Sequence, residues 1–104
     1  MRKKLYSYYE DCGRMGAIEG LFLLTDEQKA KYMKYTDCLQ WDELLGKHSE
    51  GTFQFDDARL TEIELPAEVC DLLFEKIGQV LSGPFDFDYF DEMIVEMGEE
   101  DDDE

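Results

Sequence analysis

The side chains in this sequence that could carry chemistry are few, and their spacing excludes more than it offers. The single histidine, His48, sits in the glycine-flanked run Gly46-Lys47-His48-Ser49-Glu50-Gly51. A nucleophile–base pair would have to join it to Cys12 or Cys38, both remote in sequence. A lone histidine in such a loop reads as an ordinary solvent-exposed side chain. Zinc asks for about four ligands, usually with close pairs such as C-x-x-C. The three cysteines, Cys12, Cys38 and Cys70, form none. The cluster Asp86-x-Asp88-x-x-Asp91, with Asp56-Asp57, offers hard oxygen ligands but lacks the glycine turn and closing glutamate of a calcium loop. It reads as weak adventitious cation binding. Gly13, Gly16 and Gly20 do not make G-x-G-x-x-G, and no lysine follows as in a phosphate-binding loop. The expectation is therefore no catalytic residue, no metal ligand and no cofactor.

Carboxylates are what remains. The chain has 27 acidic and 10 basic side chains in 104 residues, a formal charge of −17. The imbalance is lopsided: residues 1–52 hold nine acids and eight bases, whereas residues 53–104 hold eighteen acids and two bases. Self-repulsion of this size opposes compaction, so it points to a partner or to a need for solubility. It disfavours direct nucleic-acid binding, since phosphates would be repelled. It also disfavours anionic membrane surfaces, where a polybasic segment would be expected.

Some of these acids have regular spacing. Residues two apart on a strand share a face, which would align Glu62 with Glu64 and Asp86 with Asp88. Residues three or four apart share a helix face, which would align Glu68, Asp71 and Glu75. Rows of this kind resemble neighbouring phosphates on one nucleic-acid strand, the pattern a basic groove is built to meet. With Asp91, Glu92 and Glu96, these residues form the candidate partner-binding set. The alternative is a solvated face with no partner.

The segment 85–97 interleaves aromatic and acidic residues, and it allows two arrangements. Phe87, Phe90, Met93, Ile94 and Met97 could anchor in a partner's groove while Asp86, Asp88, Asp91 and Glu92 steer the encounter. Alternatively the apolar side chains pack on the protein's own sheet and the acids are displayed outward, which is the favoured reading for so small a domain.

The elements that must position these groups follow from periodicity. Residues 4–9 and 17–24 read as two strands of a hairpin, with Leu21-Phe22-Leu23-Leu24 buried on both faces. Thr25 and Gln28 fit a capping box opening a helix over 26–35, with Ala30, Tyr32 and Met33 inward. A strand is expected near 38–43, then a loop over 46–51, a strand over 52–55, a turn at Asp56-Asp57 and a strand over 60–65. Pro66 opens a helix whose stripe is Val69, Leu72, Leu73, Ile77, Val80 and Leu81, stopped at Ser82-Gly83-Pro84. A short helix over 89–97 follows. Glu99–Glu104 is a run of six carboxylates and is expected to be a disordered tail.

Hydrophobic residues at 43% and aromatics at 13% are too abundant for a disordered chain. The expectation is an α+β domain over residues 1–98: an antiparallel sheet of four or five strands, two main helices and a short third. The opening residues Met1-Arg2-Lys3-Lys4 run into aromatic rather than apolar sequence, unlike a signal peptide. Widely spaced, odd-numbered cysteines read as reduced thiols in the cytoplasm.

In its size, its acidic second half, the carboxylate rows over 56–75 and 86–96 and the run Glu99–Glu104, the chain resembles a class of small acidic proteins. Phages and mobile elements use these against host machinery, and they include DNA mimics that block restriction, CRISPR or other nucleic-acid-binding enzymes. The stretches Tyr8-Tyr9-Glu10-Asp11-Cys12-Gly13 and Leu45-Gly46-Lys47-His48-Ser49-Glu50 are similar to small bacterial and phage proteins that bring no activity with them. The near-neutral first half departs from an all-over acidic mimic, so any mimicry should be one-sided.

The resemblance implies a non-enzymatic inhibitor occupying the basic, nucleic-acid-binding surface of a partner protein in the host cytoplasm. Two other readings stand beside it. One is a small-ligand or catalytic domain using the 46–51 loop with Cys12 or Cys38. The other is an adaptor docking through residues 85–97.

Overall fold

The computed structural model describes residues 2–36, 39–42, 44 and 49–96, and it has an α+β fold. Its centre is a long hairpin of β1 (Lys3–Asp11) and β2 (Ala17–Thr25), in register from Lys3↔Thr25 to Asp11↔Ala17. A 3-10 turn over Gly13–Met15 closes it, with the Gly13 amide donating to Asp11 Oδ1 at 2.8 Å. Alternation along the pair sends Tyr6, Tyr8, Ile18, Phe22 and Leu24 to one face and Leu5, Leu21 and Leu23 to the other. The continuous apolar run at the end of β2 thus serves two cores, as its sequence implies.

Helix α1 (Asp26–Lys34) starts with the full capping box: Gln28 N donates to Thr25 Oγ1 at 3.1 Å, and Thr25 N donates to Gln28 Oε1 at 2.9 Å. It buries Tyr32, and Met33 packs at the core margin. Ala30, expected inward, is exposed, because a nine-residue helix lying on a sheet buries only a narrow stripe. Strands β3 (Gln40–Asp42) and β4 (Glu50–Thr52) pair as a separate two-stranded sheet.

The strand expected over 52–55 ends at Thr52. Phe53 and Phe55 still point inward two residues apart; the Phe53 amide donates to the Leu39 carbonyl at 2.8 Å, and beyond it side chains take over from a neighbouring strand. Thr36 Oγ1 donates to Phe53 O at 2.6 Å and accepts from Phe55 N at 2.8 Å, while Gln54 N donates to the Tyr8 hydroxyl at 2.7 Å. The turn at Asp56 is capped by its own carboxylate, which accepts from Ala58 N and Arg59 N.

Strand β5 (Leu60–Ile63) joins the outer edge of β1, and β6 (Val80–Ser82) joins β2, giving a four-stranded antiparallel sheet in the order β5-β1-β2-β6. Between them α2 (Ala67–Lys76) crosses the face that carries Leu5 and Leu23. The expected helix through Leu81 stops at Lys76: Gly78 takes φ +118°, a left-handed turn, and the chain re-enters the sheet. Pro66 occupies the N-cap rather than the first helical position.

The final helix, α3 (Phe87–Glu96), begins two residues earlier than expected and packs on the opposite face of the sheet. Phe85, Phe87, Phe90 and Ile94 are all buried, so this segment packs on the protein's own core. Met97 and the run Glu99–Glu104 lie outside the described residues. No helix among the described residues is long and apolar enough to cross a membrane.

Gly20 is required where Phe85 crosses β2: a Cβ there would overlap the Phe85 ring and sit 2.8 Å from the Ser82 carbonyl oxygen. Gly20→Ala is expected to lower the unfolding free energy by about 1–3 kcal/mol, through overpacking against a ring and backbone that have no room to yield. Urea denaturation followed by tyrosine fluorescence measures this.

Candidate functional site

Helices α2 and α3 carry seven of the ten candidate carboxylates, and the fold sets the two helices on opposite faces of the sheet. On α2, Glu68, Asp71 and Glu75 fall at i, i+3 and i+7 and form one solvent-facing row, as the spacing predicts. On α3, Asp88, Glu92 and Glu96 fall at i, i+4 and i+8 and form a second. Each four-residue step advances about 6 Å along the helix. Four ion pairs form among the described residues, and none uses any of these six acids. Neither row forms an ion pair with another described residue.

The other four candidates are placed differently. Asp86 and Asp88 were expected side by side on a strand. Asp86 instead caps α3, its Oδ1 accepting from Tyr89 N at 3.1 Å, because the Phe-Asp alternation leads into a helix. Asp91 is half-buried and committed within the fold: it accepts from the Tyr32 hydroxyl at 2.7 Å and pairs with Lys31 at 3.0 Å. Both have structural roles. Glu62 lies on β5, but Glu64 is past the strand's end, so the two do not form a row. They line a shallow cleft with Arg2, Lys4, Leu65 and Pro66. Lys4 pairs with Asp26 at 3.1 Å, and that contact, with a smaller pull from Glu62, raises its pKa.

The chemistry open to a nucleophile is poor. Cys12 is half-buried, its thiol 3.8 Å from the Glu10 carbonyl oxygen. Burial, with Glu10 and Asp11 nearby, pushes its pKa up, the reverse of what a thiolate nucleophile needs. Cys70 is buried. His48, Lys47 and Cys38 lie outside the described residues, as does the first half of the loop expected at 46–51; of the rest, Glu50 and Gly51 belong to β4 rather than to a loop, because they pair with Asp42 and Trp41. Among the described residues no group of three or more His, Cys, Asp or Glu side chains is arranged to hold a metal.

Two buried tyrosines were not picked out from sequence. Tyr8 donates to Glu10 Oε1 at 2.7 Å while accepting from Gln54 N, and Tyr32 donates to Asp91. Burial first, and then the adjacent carboxylate, drives each pKa far above the usual value of 10.0. The sequence does show the i, i+2 aromatic pair Tyr6-Tyr8 and the inward position of Tyr32. Glu10 is only two residues from Tyr8, but the Gln54 amide and the Asp91 carboxylate are 46 and 59 residues from their tyrosines, and spacing cannot reveal those two contacts.

The chain was compared with protein-family models, with curated proteins and with solved structures, and it matches none of them.

Because both hydroxyls keep their protons in the folded state, the unfolded chain releases protons first as pH rises above about 10. Stability is therefore full below that pH and falls above it, by about 1.4 kcal/mol per pH unit for each of the two tyrosines. Urea midpoints measured between pH 8 and 11 (a range spanning about 10, the usual tyrosine value) should show this decline. The double variant Tyr8→Phe/Tyr32→Phe should make it shallower, leaving the part due to Tyr6, whose pKa burial also raises, while lowering stability at neutral pH. Separately, Asp86→Ala should lower stability by about 0.5–2 kcal/mol through loss of the α3 cap.

Proposed function

We propose that this protein is a non-enzymatic acidic binding protein that occupies the basic, nucleic-acid-binding surface of a partner protein and inhibits it. The observation that carries this reading is the pair of unpaired carboxylate rows, Glu68-Asp71-Glu75 and Asp88-Glu92-Glu96, held on ordered helices. Folding alone does not favour the second row. The last turn of α3 carries Glu96 and no basic residue, where the helix dipole opposes negative charge. Steps of about 6 Å between acids are of the order of the spacing between phosphates along one strand. A groove lined with lysine and arginine would meet them as it meets a nucleic acid.

The two rows face away from each other, so a single groove engages one of them. Mimicry on this scaffold is one-sided with respect to its target, as the near-neutral first half suggests. The adaptor alternative through residues 85–97 loses its anchors, since Phe87, Phe90 and Ile94 are internal.

The test is displacement by DNA. Host proteins retained on the immobilised chain should be released by duplex DNA. Their affinity should fall roughly fortyfold between about 50 and 200 mM salt, as for about three phosphate contacts. Neutralising the engaged row, by Glu68→Gln/Asp71→Asn/Glu75→Gln or by Asp88→Asn/Glu92→Gln/Glu96→Gln, should abolish retention, whereas deletion of residues 99–104 should leave it intact. Retention that survives both salt and DNA would sink the reading.

A further inference from the structure

We infer that the outer face of α2, with the adjoining end of β5, is the docking surface, and that it receives a cationic amphipathic segment setting apolar side chains beside lysine or arginine. This rests on the reading of the partner as a basic protein. It adds which of the two acidic faces is used and what the partner presents there.

The two helices differ in how they are held. Helix α3 buries Phe87, Phe90 and Ile94, a regular inward stripe. Helix α2 buries only Cys70, at 1% exposure, with Leu73 half-buried beside it. A ten-residue helix is marginal by itself and normally depends on a covered apolar face. Here the apolar side chains that could supply one point to solvent. Leu72 is 51% exposed and Ile77 58%, and Ile63, Val69 and Phe74 are exposed as well. These five lie within a single stretch of fifteen residues (63 to 77), out of nine large exposed apolar residues among those described.

Their arrangement is mixed rather than simply greasy. Val69 and Leu72 sit one turn apart along one border of the Glu68-Asp71-Glu75 row, and Phe74 lies on the other border with Lys3 Nζ 4.4 Å from its ring centre. Ile77 projects past the helix end. Ile63, opposite Leu5 in register, lies on the same side of the sheet. A carboxylate row with exposed apolar side chains along both borders offers charge and apolar contact together, the combination of an interaction site.

Charge selects the occupant. A second copy of the chain would bring the same acidic rows together at a net −17 each. A segment with lysines or arginines flanking leucine-like side chains would pair its cations with Glu68, Asp71 and Glu75 and cover Leu72, Val69 and Ile77. Electrostatics would then set the rate of encounter, and the apolar contacts would hold the complex. Neutral or purely cationic segments satisfy only half of the surface.

The probe is a peptide of about fourteen residues, four turns, with leucine and lysine at helical spacing. A second peptide keeps the lysines and replaces each leucine with serine. Each is titrated into the full chain by calorimetry and by amide chemical-shift mapping.

Expected are shifts concentrated over Ile63–Ile77 and binding at least about tenfold tighter for the leucine peptide. Leu72→Ser/Ile77→Ser should lose about tenfold, and Asp88→Asn/Glu92→Gln/Glu96→Gln should lose nothing. Both substituted sites are exposed, and an unchanged melting temperature would show the double variant to be folded. Equal binding of the two peptides, or shifts centred on α3, would overturn the inference. So would a dimer in sedimentation that Leu72→Ser dissolves, because a second copy would then cover the face. If DNA fails to displace retained host proteins while the peptide still maps to α2, the docking face stands and the nucleic-acid part of the function falls. If DNA displaces them and the peptide maps to α3, only the docking face falls.

Discussion

Phe22 stacks on Phe55 at 5.7 Å and meets Phe85 and Phe87 edge-on at 4.8 and 5.1 Å, and the remaining elements are arranged around that contact. Tyr8, Tyr32, Phe53 and Phe90 extend the cluster, so that six of the seven phenylalanines share one core. Such pairs add about 0.5–1.5 kcal/mol each beyond their buried area. They also fix geometry, because edge-on rings tolerate little sliding. The rings come from both strands of the hairpin, from α1, from residues 53–55 and from residues 85–90. The cluster therefore ties the acidic second half of the chain to the near-neutral first half, where repulsion among carboxylates would otherwise drive it outward.

The charge is managed by location. Four ion pairs use Lys4, Lys29, Lys31 and Arg59 to tether Asp26, Asp57, Asp91 and Asp56. These ties are between partly exposed groups, and each is worth little. Their placement is more telling: Lys31 draws Asp91 and thus α3 toward α1, and Lys29 reaches the turn before β5. The acids on the outer faces of α2 and α3 are among those without such a tether.

Much of the fold is legible in the residues. The hairpin, the capping box at Thr25 and Gln28, the turn at Asp56 and the α+β class all follow from local pattern and match the structure. Failures occur where a local pattern serves a distant partner. Ile77, Val80 and Leu81 continue a helical period, yet the left-handed turn at Gly78 returns Val80 and Leu81 to β2. Phe53 and Phe55 alternate like a strand, but Thr36 and Tyr8 replace the neighbouring strand. For the site, the row on α2 is readable from spacing, whereas the row on α3 is not, because the Phe-Asp alternation reads Asp88 as a strand neighbour of Asp86. That they face opposite ways depends on which side of the sheet each helix crosses, and no local signal encodes it. Asp86 and Asp91 differ from their acidic neighbours only through an amide three residues on and a hydroxyl 59 residues away.

The hydroxyls that hold residues 53–55 have one more effect. Without them, this inward-facing stretch would present free amides and carbonyls in an extended backbone, the template on which a foreign strand adds. Thr36 and Tyr8 occupy the Phe53 carbonyl and the Gln54 and Phe55 amides from within. The segment is thus withdrawn from intermolecular pairing without a covering strand. Its amide protons also cannot exchange with solvent by local fraying, because freeing the Gln54 amide means moving a ring packed against Phe53, Phe55 and Phe85. Protection of a nominally irregular stretch then tracks the opening of the whole core.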